Sequence, residues 1–597
     1  MPGPLLLRYT LGAPDPRTHL LEVDLHLTSE NGPLPPSLSL FLPTWAPGSY
    51  LTREYARHLE GLSAEAEGRP LVARKTRKNA WTVDPHGARS VRVHYRLYAN
   101  ELSVRTNHLD TTHASWRGPA TYLVPEGYPG EALRAVVRPR FAPGWTAGTA
   151  LQQTAEGYAA ASLDELMDAP FECGAASPRT FEVHGRTHEI WVWKNRHAVD
   201  QDWERLVQDT RTIVQTEASL LAGPGRPEEV LPYDRYVFLW QVSPRSRGGL
   251  EHGNCCALLV APGMFHTRGG YLDVLSLVAH EFLHLWNVKR IRPQGLWSYD
   301  YERENYTRLL WWFEGGTSYF DWRILRLAGL ATHREYADHL AGELARLADT
   351  PGARVHSLSD ASFDAWIKAY RPDENSINST VSYYLKGEVV CALLDIELRS
   401  RSQGARSLDD VLRFLWRSYG AARRPVPEDG MAAVILEATG VRVDDLLARW
   451  VDSTDDLDVG ATLARVGLRH ERRPQHRQGS GSLGARVRHR AGRHVFDAIL
   501  RGGAAMRAGI EPGDELLSVG GRRIEESLEA VLHPLPPGAT IEVVVSRDGW
   551  LETCELTLDP PALNDGRLTV RSDATAAQLA LLDGWLGTGA AAALRGA

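Results

Sequence analysis

Two histidines four residues apart flank a glutamate in His280-Glu281-Phe282-Leu283-His284. On a helix, residues four apart project from one face, so both imidazoles can meet a single ion. Glu281, next to one ligand, can then reach water at that ion. A catalytic zinc takes three protein ligands and keeps one position open. Glu314, in Trp311-Trp-Phe-Glu-Gly-Gly-Thr-Ser-Tyr319, is the natural third. Two neutral histidines and one carboxylate leave the ion net positive, able to acidify water and polarise a carbonyl. The pattern predicts one zinc per chain on His280, His284 and Glu314, with Glu281 as catalytic base. Asp321 lies two helical turns beyond Glu314. It either accepts a hydrogen bond from a ligand imidazole or is a surface aspartate.

The elements that must carry these residues can be read from periodicity. Tyr271 to Trp286 contains no Gly or Pro and surrounds the histidines with apolar residues, as a buried helix does. Glu314 falls on a second helical segment. From about 270 to 455 the pattern is mostly helical, with apolar spacings of three and four in 388–400 and 408–419. Residues 1–170 instead alternate, as in 20–27 and 90–98, between Pro/Gly turns. They predict a β-sandwich or saddle-like sheet. Further strands are expected at 189–193 and 235–242, with a helix near 199–221 between them. Residues 470–494, rich in Arg, His, Gly and Ser, read as a solvated linker rather than a site for an acidic partner.

Composition excludes several function classes. Charged residues make up 24% and the net charge is −7, so neither nucleic acid nor an anionic membrane surface is an expected partner. No apolar run approaches membrane-spanning length. The first residues lack a secretory signal pattern, and a cytoplasmic location is expected. Five scattered cysteines make no disulfide framework. Cys255 and Cys256 read as small residues of a buried strand.

Several strings together resemble the PDZ-containing glycyl aminopeptidases, zinc peptidases of the thermolysin-like clan related to the large zinc aminopeptidases. They are Leu42-Pro-Thr-Trp-Ala-Pro-Gly-Ser-Tyr50, Gly248-Gly-Leu-Glu-His252, His284-Leu-Trp-Asn-Val-Lys-Arg-Ile-Arg-Pro293 and Ser382-Tyr-Tyr-Leu-Lys-Gly387. The resemblance implies that Gly249, Leu250 and Glu251 bind substrate, with Glu251 holding its free α-amino group. It implies that Tyr384, or else Tyr383, donates to the developing oxyanion. It implies a preference for small N-terminal residues such as Gly and Ala. His252 stands where the large aminopeptidases usually have Asn. Ala504–Gly521 is similar to the helix, turn and strand of a PDZ domain. Ser482-Leu-Gly-Ala485 would be its carboxylate-binding loop, serving a peptide chain end or a purely structural role.

The expected fold is multidomain α+β. An N-terminal β-rich domain (1–170) is followed by a thermolysin-like catalytic domain with a helical subdomain (171–465). A linker (466–479), a PDZ-like domain (480–562) and a tail with one short helix (563–597) complete it. The expected activity is zinc-dependent removal of Gly or Ala from peptides with a free N-terminus. An endopeptidase of the same clan and a PDZ adaptor on an inactive peptidase are the alternatives. Glu251 argues against the first, and the complete His280, Glu281, His284 and Glu314 set against the second.

Overall fold

The computed structural model describes residues 4–194, 201–244, 247–474, 480–525 and 527–595. The chain divides into two compact units, residues 1–306 with 415–426 and residues 307–414 with 427–597.

The first unit opens with an eight-stranded sheet. Its central strands are Leu5–Gly12, Leu20–Ser29 and Ser90–Tyr98. Their alternating sequence buries every second side chain, which is why one face carries the core. Leu7, Tyr9, Leu25 and Tyr95 from this sheet share that core with Trp116 and Tyr122. Two four-stranded sheets complete the β-rich part. A five-stranded mixed sheet follows, ordered Arg179–Val183, Arg186–Lys194, Arg235–Val242, Cys255–Val260, Gly248–Glu251. Cys255–Val260 is buried at every position, as a continuous apolar run with both faces covered must be. All five cysteines are free, and Cys255 and Cys256 lie in this buried strand as expected. Two helices, Trp203–Ala222 and Arg268–Leu283, follow the expected pattern; positions 199–200 lie outside the described residues.

The second unit holds the helices Thr317–Leu327, His333–Ala348 and Tyr383–Arg401 and a C-terminal sheet. That sheet runs Ala485–Arg490, Arg493–Ile499, Glu515–Val519, Thr540–Arg547, Trp550–Thr557 around Phe496, Val543, Val545 and Leu556. Its strands lie within 480–562, the stretch where a PDZ-like module is expected.

Three expectations need correction. Leu468–Arg473, read as linker, is a strand paired with Asp565–Val570. Buried Leu468 and Leu568 anchor the ladder, and the surrounding arginines masked them in the composition. Of the rest of the expected linker, 466–479, only 475–479 lies outside the described residues. The tail carries two helices, Ala576–Leu586 and Ala590–Arg595, rather than one. The run at 408–419 is an α-helix only over Leu408–Leu415 and continues as a π-helical turn, Trp416–Gly420. Among the described residues, no helix is long and apolar enough to cross a membrane.

Candidate active site

In the first unit, the helix Arg268–Leu283 starts where the Thr267 side chain accepts from the Gly270 N–H. Val274, Leu275, Val278 and Phe282 are buried on it. His280 lies in its last turn and His284 at its C-terminal cap. Their ring centroids are 4.7 Å apart and nearly perpendicular. His284 is 1% exposed. Its Nδ1 sits 2.7 Å from the Asn287 carbonyl oxygen, which can only accept. Nδ1 therefore carries the proton and Nε2 keeps a lone pair, the form a metal ligand requires. The donor chemistry of this histidine fits zinc.

The strand Gly248–Glu251 forms an edge of the five-stranded sheet and passes close to Glu281. A β-carbon on Gly249 would collide with the Glu281 carboxylate. Gly249→Ala is therefore expected to displace Glu281 and lower kcat by about 100-fold, the scale of a 1 Å misplacement. Steady-state kinetics with metal analysis would check this, since zinc content should stay unchanged.

Glu251 ends that strand and is 4% exposed. One ligand-type atom from each of Glu251, Glu281 and His284 lies within 4.8 Å of the others. Gly48, in the buried Leu42–Tyr50 loop, packs so closely on the Glu251 carboxylate that a β-carbon there would overlap it. The Arg105 guanidinium also holds this strand, donating to the Gly249 carbonyl at 3.3 Å.

Behind Glu251 lies a network that sequence reasoning missed. Asp168 accepts from the Lys289 ammonium at 2.7 Å and the Gly253 N–H at 2.7 Å. His252 Nδ1 lies 3.1 Å from it. Burial pushes the Asp168 carboxyl up, but the Lys289 charge and the His252 contact outweigh it. They hold it well below the usual carboxylate range. The only signal in the sequence was His252 in place of Asn; Asp168 is 84 residues away along the chain.

His108, Asp110 and His113 form another group of metal-type donors in this unit. There His113 Nε2 faces His108 Nδ1 at 2.7 Å and His113 Nδ1 faces Glu172 at 2.5 Å. These nitrogens are engaged as a hydrogen-bonded relay.

In the second unit, Glu314 is 2% exposed and belongs to a π-helical turn, Trp311–Gly316, leading into Thr317–Leu327. π-helical turns recur at functional sites. Gly315 and Gly387 let this turn meet the helix Tyr383–Arg401 backbone to backbone. A β-carbon on Gly315 would lie 2.5 Å from the Gly387 α-carbon. Ser382 caps that helix by accepting from the Leu385 N–H. Tyr383 and Tyr384 begin it, with ring centroids 4.7 Å apart. Tyr383 is fully enclosed, and burial pushes its phenol well up, with Tyr370 and Glu314 adding to the effect. Tyr384 is only partly buried. Asp321 is buried, which removes the surface reading. Its charge acts on His339 and Glu343.

The C-terminal module has a groove of about 540 Å³ whose lining includes Ser482, Leu483, Val487, Leu528 and Leu532.

Comparison with known proteins agrees with this architecture. The M61 glycyl aminopeptidase family matches residues 273–390, the peptidase M61 N-terminal domain residues 8–175 and a PDZ domain residues 495–547. Among solved structures, an aminopeptidase N family protein from Idiomarina loihiensis is 29% identical, with a TM-score of 0.89. The match covers 97% of this chain and 100% of that one. An M1 zinc metallopeptidase from Deinococcus radiodurans is 14% identical with a TM-score of 0.46, over 76% of this chain and 95% of that one. No curated protein matches this chain. A peptidase segment and an N-terminal domain that both match the M61 glycyl aminopeptidase family, followed by a PDZ domain, thus stand in one sequence, and over those segments this chain is similar to that family.

Proposed function

We propose that this protein is a zinc-dependent aminopeptidase that removes small N-terminal residues, Gly and Ala, from peptides. The observation that carries this reading is the buried Glu251 carboxylate grouped with Glu281 and His284. A buried carboxylate needs a cationic partner, and a peptide's α-ammonium supplies one beside the proposed base. The similarity of residues 273–390 to the M61 glycyl aminopeptidases supports the glycyl preference.

His280, His284 and Glu314 would hold one zinc. Bound there, zinc supplies the Lewis acidity that acidifies water and polarises the scissile carbonyl. Glu281 takes the proton of the attacking water and delivers it to the leaving amine. Tyr384 donates a hydrogen bond to the developing oxyanion; its partial exposure favours it over the enclosed Tyr383. Gly249 and Leu250 offer an edge strand on which an extended substrate can lie. Asp321 would accept a hydrogen bond from a ligand imidazole. The apolar groove of the PDZ domain accepts a peptide chain end with an apolar last residue.

Aminoacyl reporter substrates, scanned with and without a chelator, test this function. Hydrolysis of Gly and Ala reporters is expected to exceed that of bulky ones. It should vanish on metal removal and return with zinc. Full activity in a verified metal-free sample would overturn the reading.

A further inference from the structure

Lys289 and His252 belong to the recognisable sequence strings, yet the proposed chemistry gives neither a task. The Lys289 side chain is 1% exposed. A buried ammonium is costly unless a carboxylate pairs with it. One carboxylate pairs with it directly and a second adds to the negative field around it. Asp168 holds it at 2.7 Å. Glu251 also attracts it: burial pushes the Lys289 ammonium down, but Asp168 first, then Tyr299 and Glu251, raise it above its ordinary value. Glu251 itself forms no ion pair with any described residue.

This division of charge matters for a carboxylate that must receive a substrate amine. A lysine on the same chain competes at an effective concentration of roughly millimolar or higher. It would occupy Glu251 before a dilute peptide could. Asp168 sits where it can prevent that. It approaches from the end of the short helix Leu163–Met167 and binds Lys289, His252 and the Gly253 N–H together. The last two directly follow Glu251, so the same carboxylate fixes the end of the Glu251 strand. Burial also pushes the His252 imidazole down, against the pull of Asp168, which spares this corner a second cation.

We propose that Asp168 is a positioning residue that binds Lys289 and so keeps its ammonium off Glu251, leaving that carboxylate open to the α-ammonium of the substrate. The proposal rests on the reading of Glu251 as the amino-terminus anchor.

The test uses the full-length, zinc-loaded protein and Gly and Ala peptides with free N-termini. Asp168→Asn is expected to raise KM about tenfold or more, because Lys289 turns to Glu251. kcat and zinc content should change much less. Asp168→Asn combined with Lys289→Met should bring KM back to within about threefold of the parent, a rescue that lost packing alone would not give. An unchanged KM in Asp168→Asn, or a double variant as impaired as the single, overturns the proposal. Should Asp168→Asn fail to fold, Lys289→Met in the otherwise native chain decides. An equal or lower KM supports the proposal. A KM raised about tenfold would show that Lys289 assists Glu251 and so overturns it. Equal cleavage of free and N-acetylated peptides by the parent enzyme would instead overturn the anchor reading, and this proposal with it.

Discussion

Glu281→Gln is expected to keep its zinc and lose about 10²- to 10⁴-fold in kcat, the usual contribution of a positioned general base. The amide has nearly the shape of the carboxylate but cannot accept a proton from water. Glu281 is buried and close to Gly249, so the substitution should preserve the fold around it. His284→Ala should lose metal as well as activity, because His284 is a proposed ligand whose Nε2 lone pair is left available by the Nδ1 contact with Asn287. Metal analysis beside single-turnover kinetics separates the two cases. A Glu281→Gln enzyme with near-parental kcat would mean that another group takes the proton.

The second large effect belongs to Glu251. Truncating one partner of a buried charge pair typically costs about 2–5 kcal/mol, or roughly 30- to several-thousand-fold in kcat/KM. Glu251→Ala should show that loss on peptides with a free N-terminus. Zinc content should hold, since Glu251 is not proposed as a ligand. N-acetylated peptides should be poor substrates for the parent enzyme, and the variant should narrow the gap between the two kinds. Equal parental turnover of the free and acetylated forms of one peptide would favour the endopeptidase reading.

Much of the scaffold was legible because local pattern and tertiary burial agree. Arg235–Val242 spans the stretch expected from its apolar run, and Ser90–Tyr98 follows its alternation. The helix bearing the histidine pair was visible from uninterrupted apolar spacing. Its end was not: helix gives way at Leu283, and Val288 adopts φ of 143°. Contacts to distant residues accompany that turn, the Trp286 indole donating to the Val230 carbonyl and Arg290 to the Gly253 carbonyl.

The π-helical form of Trp311–Gly316 was equally hidden, since an ordinary helix has the same composition. The contact between Gly48 and Glu251 joins residues with no local relationship in the chain, so periodicity could not reveal it. The Asp168 network escaped for the same reason. The strand at 468–473 was obscured because one buried leucine per strand gives almost no period-2 signal.

The glycine-to-glycine contact in the second unit carries a kinematic consequence. Where two backbones touch with no side chain between them, there is no rotamer to absorb a shift. The turn bearing Glu314 and the helix bearing Tyr383 and Tyr384 meet this way at Gly315 and Gly387. A carboxylate and a phenol on such a pair share one rigid frame. Any breathing that displaces one must carry the other with it, so their spacing persists through fluctuations that move the frame as a whole.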